Sequence, residues 1–525
     1  MNKYIFVIIH WFAALSLLLL IACGGSSEPE LTWTSGVFED ENNFKNLCQI
    51  PRSGTDVNGD SFDDQQGSSL HERHFLRSWS NNTYLWYNEI NDSDPAQTTS
   101  TADYFDLLVT TAITASGTAK DQFHFTYPSD EWLQLTQSGV SAGYGAQWTI
   151  IESSPPREIR VAYTEPNSPA TDANILRGAE VIQVDGVDVI NGGNQSDVDL
   201  INAALFPSAA NESHNFVLRD FDSNETRSID LTSANITSTP VQSVTSFDTN
   251  SGRVGYLLFN SHIQTSEIGL INAIEQLSND DVTDLVLDLR YNGGGLLAIA
   301  SQLAYMIAGS EVTSDKTFEE IEFNDKHNSI NPVTGQNLTP TPFYDQSLGF
   351  SVTAGQALPS LNLNRVFILS TARTCSASEA IINGLRGAGV EVVLIGSTTC
   401  GKPYGFYPTD NCGTTYFTIQ FKGVNEMDFG DYSDGFSPMN TIGTVGELIT
   451  GCSVADDFSK PLGNIEEAQL AAALGYGESN TCPIPTKQVS IRSPKEQSEM
   501  IGSLFNSEIY RRYNWISNNR YFRLH

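Results

Sequence analysis

Four short runs constrain this chain more than anything else in it: VGYLLF (254–259), DLVLDL (284–289), RVFILS (365–370) and VEVVLIG (390–396). Both alternating faces of these runs are apolar and rich in branched residues, the pattern of strands covered above and below, and helical periodicity fills the intervals. They predict a sheet buried between helices, an α/β core across residues 250–484.

At 525 residues the chain exceeds one core, so further domains are expected. Residues 70–139 carry aromatics and aliphatics three and four apart (HERHFLRSWSNNTYLWYNEI, TADYFDLLVTTAIT), which predicts a small N-terminal helical domain. From 140 to 236 the pattern turns to short β-rich runs separated by turn residues: AQWTII, IRVAYT, AEVIQV, HNFVLR and RSIDLT. Within them Ser168-Pro169-Ala170, the segment Asn174 to Ile182, and Val184-Asp185-Gly186 resemble the PDZ fold of bacterial proteases. Such a module binds an extended C-terminal peptide by adding it as a strand, with loop N–H groups holding the carboxylate. Gly143-Tyr144-Gly145 is the candidate carboxylate loop, since glycines let a backbone approach closely; a plain turn is the other reading.

The N-terminus has Lys3, then an apolar run from Tyr4 to Ala22, then Cys23 in a Gly/Ser segment. Leu20-Ile21-Ala22-Cys23 resembles the bacterial lipobox, which implies a lipoprotein signal peptide over 1–23 and lipidation of Cys23. Residues 24–69 read as an acidic tether holding the body off a membrane of the bacterial cell envelope, facing the periplasm or the outside. Within it, Asp56 to Asp64 has the alternating oxygens of a calcium loop, but Ser61 stands where glycine is expected and no glutamate closes it.

A formal charge of −34 excludes nucleic acid as a partner, because its phosphates meet like charge. Residues 485–525 run against that trend, with Lys487, Arg492, Lys495, Arg511, Arg512, Arg520 and Arg523 interleaved with aromatics. This basic, aromatic C-terminal segment is expected to dock onto the acidic body, a membrane surface being the alternative. Besides Cys23 six cysteines remain, without C-x-x-C spacing or clustered histidines, so disulfides are expected and no metal or other cofactor.

The chemistry centres on TARTCSASEAIINGLRG (371–387). A strand ends near Ser370, and Ser376 opens a helix with Glu379 at capping-box spacing. A serine at such a turn is exposed to substrate and sits in the positive field of the helix N-terminus. It needs a base. Lys402, in the apolar loop CGKPYG, returns to the same sheet edge after the strand VEVVLIG, and burial there would depress its pKa enough to accept a proton. The three consecutive glycines Gly293-Gly294-Gly295, after the strand DLVLDL, can turn N–H groups toward a developing oxyanion. Cys375 and Cys400 precede these two segments, and a bond between them would fix Ser376 against Lys402.

Together DLRYNGGG, TCSASEAIINGL and GKPYG resemble the tail-specific or C-terminal processing peptidases of family S41. The resemblance implies a ClpP/crotonase-like α/β catalytic core in a multidomain α/β chain. It implies Ser376 as nucleophile, Lys402 as general base, and an oxyanion hole from the N–H of Ala377 with Gly293 or Gly294. It further implies cleavage of envelope proteins recognised by their C-terminal tails. Two features depart from the family: the serine-to-lysine spacing is one residue longer than usual, and Phe406 stands where many members have a glutamine. Some relatives use a histidine base from ahead of the PDZ domain, which makes His124 an alternative, with His262 behind it. The rival from another class is a non-catalytic peptide-binding PDZ lipoprotein scaffold. Oligomeric state is not legible in the sequence.

Overall fold

The computed structural model describes residues 31–56 and 59–485, and the backbone of Arg520 and Tyr521. The leader, Cys23 and most of the C-terminal segment lie outside the described residues.

The four apolar runs form the middle of a six-stranded sheet, ordered Val241–Thr249, Gly252–Phe259, Asp284–Asp288, Arg365–Ser370, Glu391–Gly396, Gly451–Ser453. Only the first pair is antiparallel; the other neighbours run parallel. Strand alternation sends Leu257, Leu285, Ile368 and Leu394 to one face, under the helices Ser266–Asn279, Leu297–Ala308 and Ala377–Ala388. Tyr256, Val286, Phe367 and Ile395 face the other side, under Ala468–Ser479. Both faces are therefore apolar, the property that made these runs readable.

Residues 140–237 form a β-rich unit with its own core around Trp148, Val161, Ile201 and Phe216. Its main sheet runs Thr226–Thr232, Ser213–Arg219, Glu180–Val184, Glu158–Thr164, Ala146–Glu152, which leaves Ala146–Glu152 at an edge. Ser168 caps the short helix Pro169–Asp172, and Asp185 and Gly186, both at positive φ, turn the hairpin into Val187–Asp188. Arg177 joins this unit to the core, donating to Tyr291 Oη and to Asp456 at 2.6 Å each.

The N-terminal quarter departs from its sequence reading twice. Residues 31–56 and 59–69, expected as part of a tether, are anchored to the body: Phe44 lies in a core with Phe75 and Trp79, and Leu47–Cys48 pairs with Gln65–Gln66. Arg52 bridges Asp64 and Asp410 at 2.8 and 2.9 Å, and Cys48 is disulfide-bonded to Cys412. Asp410 and Cys412 lie some 360 residues away, so local acidity alone resembled a linker. Residues 70–139 hold the helix Ser69–Thr83 but are not a separate helical domain. In TADYFDLLVTTAIT the helix covers only Thr101–Phe105, because the β-branched VTTAIT run favours other conformations. Tyr416 completes the core of this region, and Phe125–Pro128 pairs with Thr414–Phe417. It is thus an extension of the α/β body.

Candidate active site

Strand Arg365–Ser370 runs out through a loop to Ser376, which opens the helix Ala377–Ala388. Ser376 has φ 61° and ψ −114°, a conformation that costs a non-glycine residue about 1–3 kcal/mol. The loop is held by contacts that outweigh this strain. Thr374 Oγ1 donates to Leu289 O at 2.9 Å, Cys375 N to Asn292 O at 3.1 Å, and Ser378 Oγ to the same carbonyl at 3.0 Å. The hydroxyl of Ser376 is buried and makes no hydrogen bond.

Glu379 ties the serine to the lysine. One carboxylate oxygen accepts from both Ser376 N (2.9 Å) and Lys402 N (2.8 Å). The other accepts from Thr399 Oγ1 (2.5 Å) and Gly401 N (2.8 Å). The capping-box spacing was visible in the sequence, but its second role, clamping the lysine loop, depends on a loop some twenty residues on. A disulfide between Cys375 and Cys400 closes the same junction. Burial pushes the Glu379 carboxyl above its usual range, against the pull of these four donors.

Lys402 is fully buried, its Nζ 4.5 Å from the ring centre of Phe123 and 4.6 Å from that of Phe406. Burial pushes its ammonium down to about 7, against the pull of the Asp121 and Glu379 carboxylates. Phe406, at the position of the family's glutamine, thus offers a ring face in place of a side-chain amide.

The glycine loop lies against the serine. A Cβ at Gly294 would stand 2.8 Å from Ser376 Cβ and 2.9 Å from Ala377 N, and its φ of 106° also requires glycine. Gly294 N donates to Asn292 Oδ1 at 3.0 Å, so of the expected pair it is Gly293 whose N–H is left for a ligand. Among the described residues nothing accepts from the N–H of Gly293 or of Ala377. Asn292, to which the sequence reading gave no role, is the hub of this loop: its Oδ1 lies 2.9 Å from His262 Nδ1 and its Nδ2 donates to Phe259 O at 2.9 Å.

The two histidines differ in placement: His262 supports the glycine loop, and His124 sits in the packing of the N-terminal region. His124 has Nδ1 against Thr418 Oγ1 (2.9 Å) and Nε2 against Phe105 O (2.8 Å), with its ring stacked on Phe105. Both nitrogens are engaged, and neither bonds Ser376 Oγ. His262 is pushed down to about 3 by burial and serves Asn292. In the β-rich unit, Tyr144 of the candidate peptide loop is buried, and the carbonyls of Tyr144 and Gly145 accept from Ala170 N (2.9 Å) and Glu165 N (2.7 Å).

Glu379 thus ties the backbone of Ser376 to that of Lys402, while the Ser376 hydroxyl hydrogen-bonds neither the Lys402 amine nor a histidine. Glu379→Gln keeps the size of the clamp but gives its donors an amide to meet. It should lower kcat by on the order of 10²-fold with little change in KM. Loss of the carboxylate charge should also move the acid limb of the pH–rate profile to lower pH. A purely structural role for Glu379 would leave that limb in place.

Residues 253–407 match the family model of Peptidase family S41. The carboxyl-terminal-processing protease of Picosynechococcus sp. is 25% identical over 271 residues, covering 51% of this chain and 56% of that protein. Carboxyl-terminal-processing peptidase 3, chloroplastic, of Arabidopsis thaliana is 26% identical over 246 residues, 45% of this chain and 41% of that one. The chain thus spans about half the length of the relatives it matches. The crystal structure of a putative S41 protease from Bacteroides fragilis superposes with a TM-score of 0.56 at 23% identity, over 78% of this chain and 97% of that one. That likeness concerns the fold, a mixed α/β multidomain one.

Proposed function

We propose that this chain, an S41-type peptidase across residues 253–407, is a serine peptidase that cuts proteins with a Ser376/Lys402 dyad. The observation that carries this reading is the buried lysine, pushed to about 7 and tied through Glu379 to a strained serine with an unpartnered hydroxyl. Neutral Lys402 accepts the Ser376 proton as Oγ attacks the substrate carbonyl. The oxyanion is held by the N–H groups of Ala377 and Gly293. As the tetrahedral species collapses, the Lys402 ammonium returns the proton to the departing amine and an acyl-serine ester remains. Lys402 then takes a proton from water, which attacks the ester, and Ser376 is regenerated with release of the new carboxyl terminus. A binding scaffold has no use for a buried lysine, whose desolvation only costs stability.

The β-rich unit acts as a PDZ domain that takes C-terminal tails, and two features support this. Ala146–Glu152 is an edge strand beside the Gly143-Tyr144-Gly145 loop, as strand addition requires. Arg373, three residues ahead of the nucleophile, donates to Trp148 O on that strand at 3.2 Å, so bound tails would lie next to the site. Cys23 lipidation would hold the enzyme on a bacterial envelope membrane, where its substrates are envelope proteins. In a Ser376→Ala chain a peptide with a free terminal carboxylate should bind at least about tenfold tighter than its amide, a difference of one charge-assisted contact. Equal binding would remove tail recognition and leave the dyad untouched.

A further inference from the structure

The strand Gly295–Leu296 begins one residue past the glycine that touches Ser376. On one side it is tied to His262, whose N donates to Gly294 O (3.1 Å) and whose carbonyl accepts from Leu296 N (2.8 Å). Its other side is occupied by this chain's own C-terminus: Arg520 and Tyr521 pair in parallel with Gly295 and Leu296. The same two residues lie beside Tyr404–Gly405, the strand that follows Lys402. The tail strand therefore runs between the glycine loop and the lysine strand.

We propose that the open edge of Gly295–Leu296 is where the polypeptide to be cut is bound as a strand, and that the C-terminal segment is its resident occupant, a pseudosubstrate. This rests on the reading of Ser376 and Lys402 as the dyad. Backbone pairing tolerates many side chains, so an edge that serves varied unfolded substrates also accepts a segment of its own chain. Charge favours the docking: residues 487–525 hold seven basic and three acidic residues, whereas the whole chain carries −34. Tethering raises the local concentration of the tail, and salt weakens its attraction.

The test is the full chain carrying Arg520→Pro and Tyr521→Pro, which removes two N–H donors and disfavours strand pairing. If the tail fills the cleft nine-tenths of the time, the variant should show a KM for casein roughly tenfold lower with kcat unchanged. A synthetic peptide of residues 516–525 should inhibit the variant competitively, less so at high salt, and its two-proline counterpart should not. Fluorescence anisotropy of the labelled peptide on the variant that also carries Ser376→Ala reads occupancy without hydrolysis. Binding there, with no hydrolysis by any form, would sustain the strand site and reject the dyad. Unchanged KM together with no peptide binding would overturn the pseudosubstrate while leaving the dyad standing.

Discussion

Ser376→Ala lowers hydrolysis of an unfolded protein such as casein by a factor on the order of 10⁴ or more, the scale seen when a serine peptidase loses its nucleophile. Folding should hardly change. The deleted hydroxyl makes no hydrogen bond, so its loss leaves no buried donor or acceptor orphaned. The positive φ at this position persists, because it is imposed by the contacts of Thr374, Cys375 and Ser378 and by the Glu379 clamp on the backbone N–H. Stability should therefore stay within about 0.5 kcal/mol, measured by urea unfolding with an unchanged slope. A loss of activity accompanied by a comparable loss of stability would assign Ser376 to the fold. On the proposed role of the β-rich unit the same variant should still bind peptide, since that unit has a separate core.

Lys402→Met separates chemistry from stability in the opposite direction. Turnover should fall by about 10³-fold or more, for methionine fills the space between Phe123 and Phe406 but accepts no proton. Stability should rise. The lysine has its ordinary value of 10.5 in the unfolded chain and about 7 when folded, so between these values the unfolded chain holds a proton that the folded chain lacks. Wild-type stability accordingly increases as pH climbs from about 7 to 10.5, and below 7 the full cost of charging the buried amine is present. Methionine removes that dependence, so its advantage should be greatest below pH 7 and gone above 10.5. In the wild-type enzyme kcat/KM should rise with pH along a limb centred near 7, where the lysine loses its proton. A flat profile across pH 6 to 8 with full activity in Lys402→Met would require another base.

The parts legible in the sequence are those whose signal is local. VGYLLF, DLVLDL, RVFILS and VEVVLIG announce doubly covered strands because each run carries its own burial pattern. Ser376 and Lys402 stand out because each lies in the short loop that follows such a strand, and the Cys375–Cys400 bond is suggested by the same placement. What the sequence hides is made by contacts across the chain. Phe44 and Cys48 look like members of a polar linker until Trp79 and Cys412 are brought to them. Glu379 reads as a helix cap until the lysine loop arrives on its free lone pairs. Asn292 separates the roles of Gly293 and Gly294 only once its side chain is seen to occupy the N–H of Gly294. His124 satisfies the family pattern for an alternative base by position, yet its ring lies flat on Phe105 with both nitrogens engaged.

The most direct measurement is the pH dependence of labelling by a fluorophosphonate, which phosphonylates an activated serine with loss of fluoride, followed by peptide mapping. The label should fall on Ser376 alone, at a rate that rises through about pH 7 and is lost in Lys402→Met. Absence of labelling in the folded wild-type chain, or labelling at Ser376 that persists unchanged in Lys402→Met, would contradict a serine activated by this lysine.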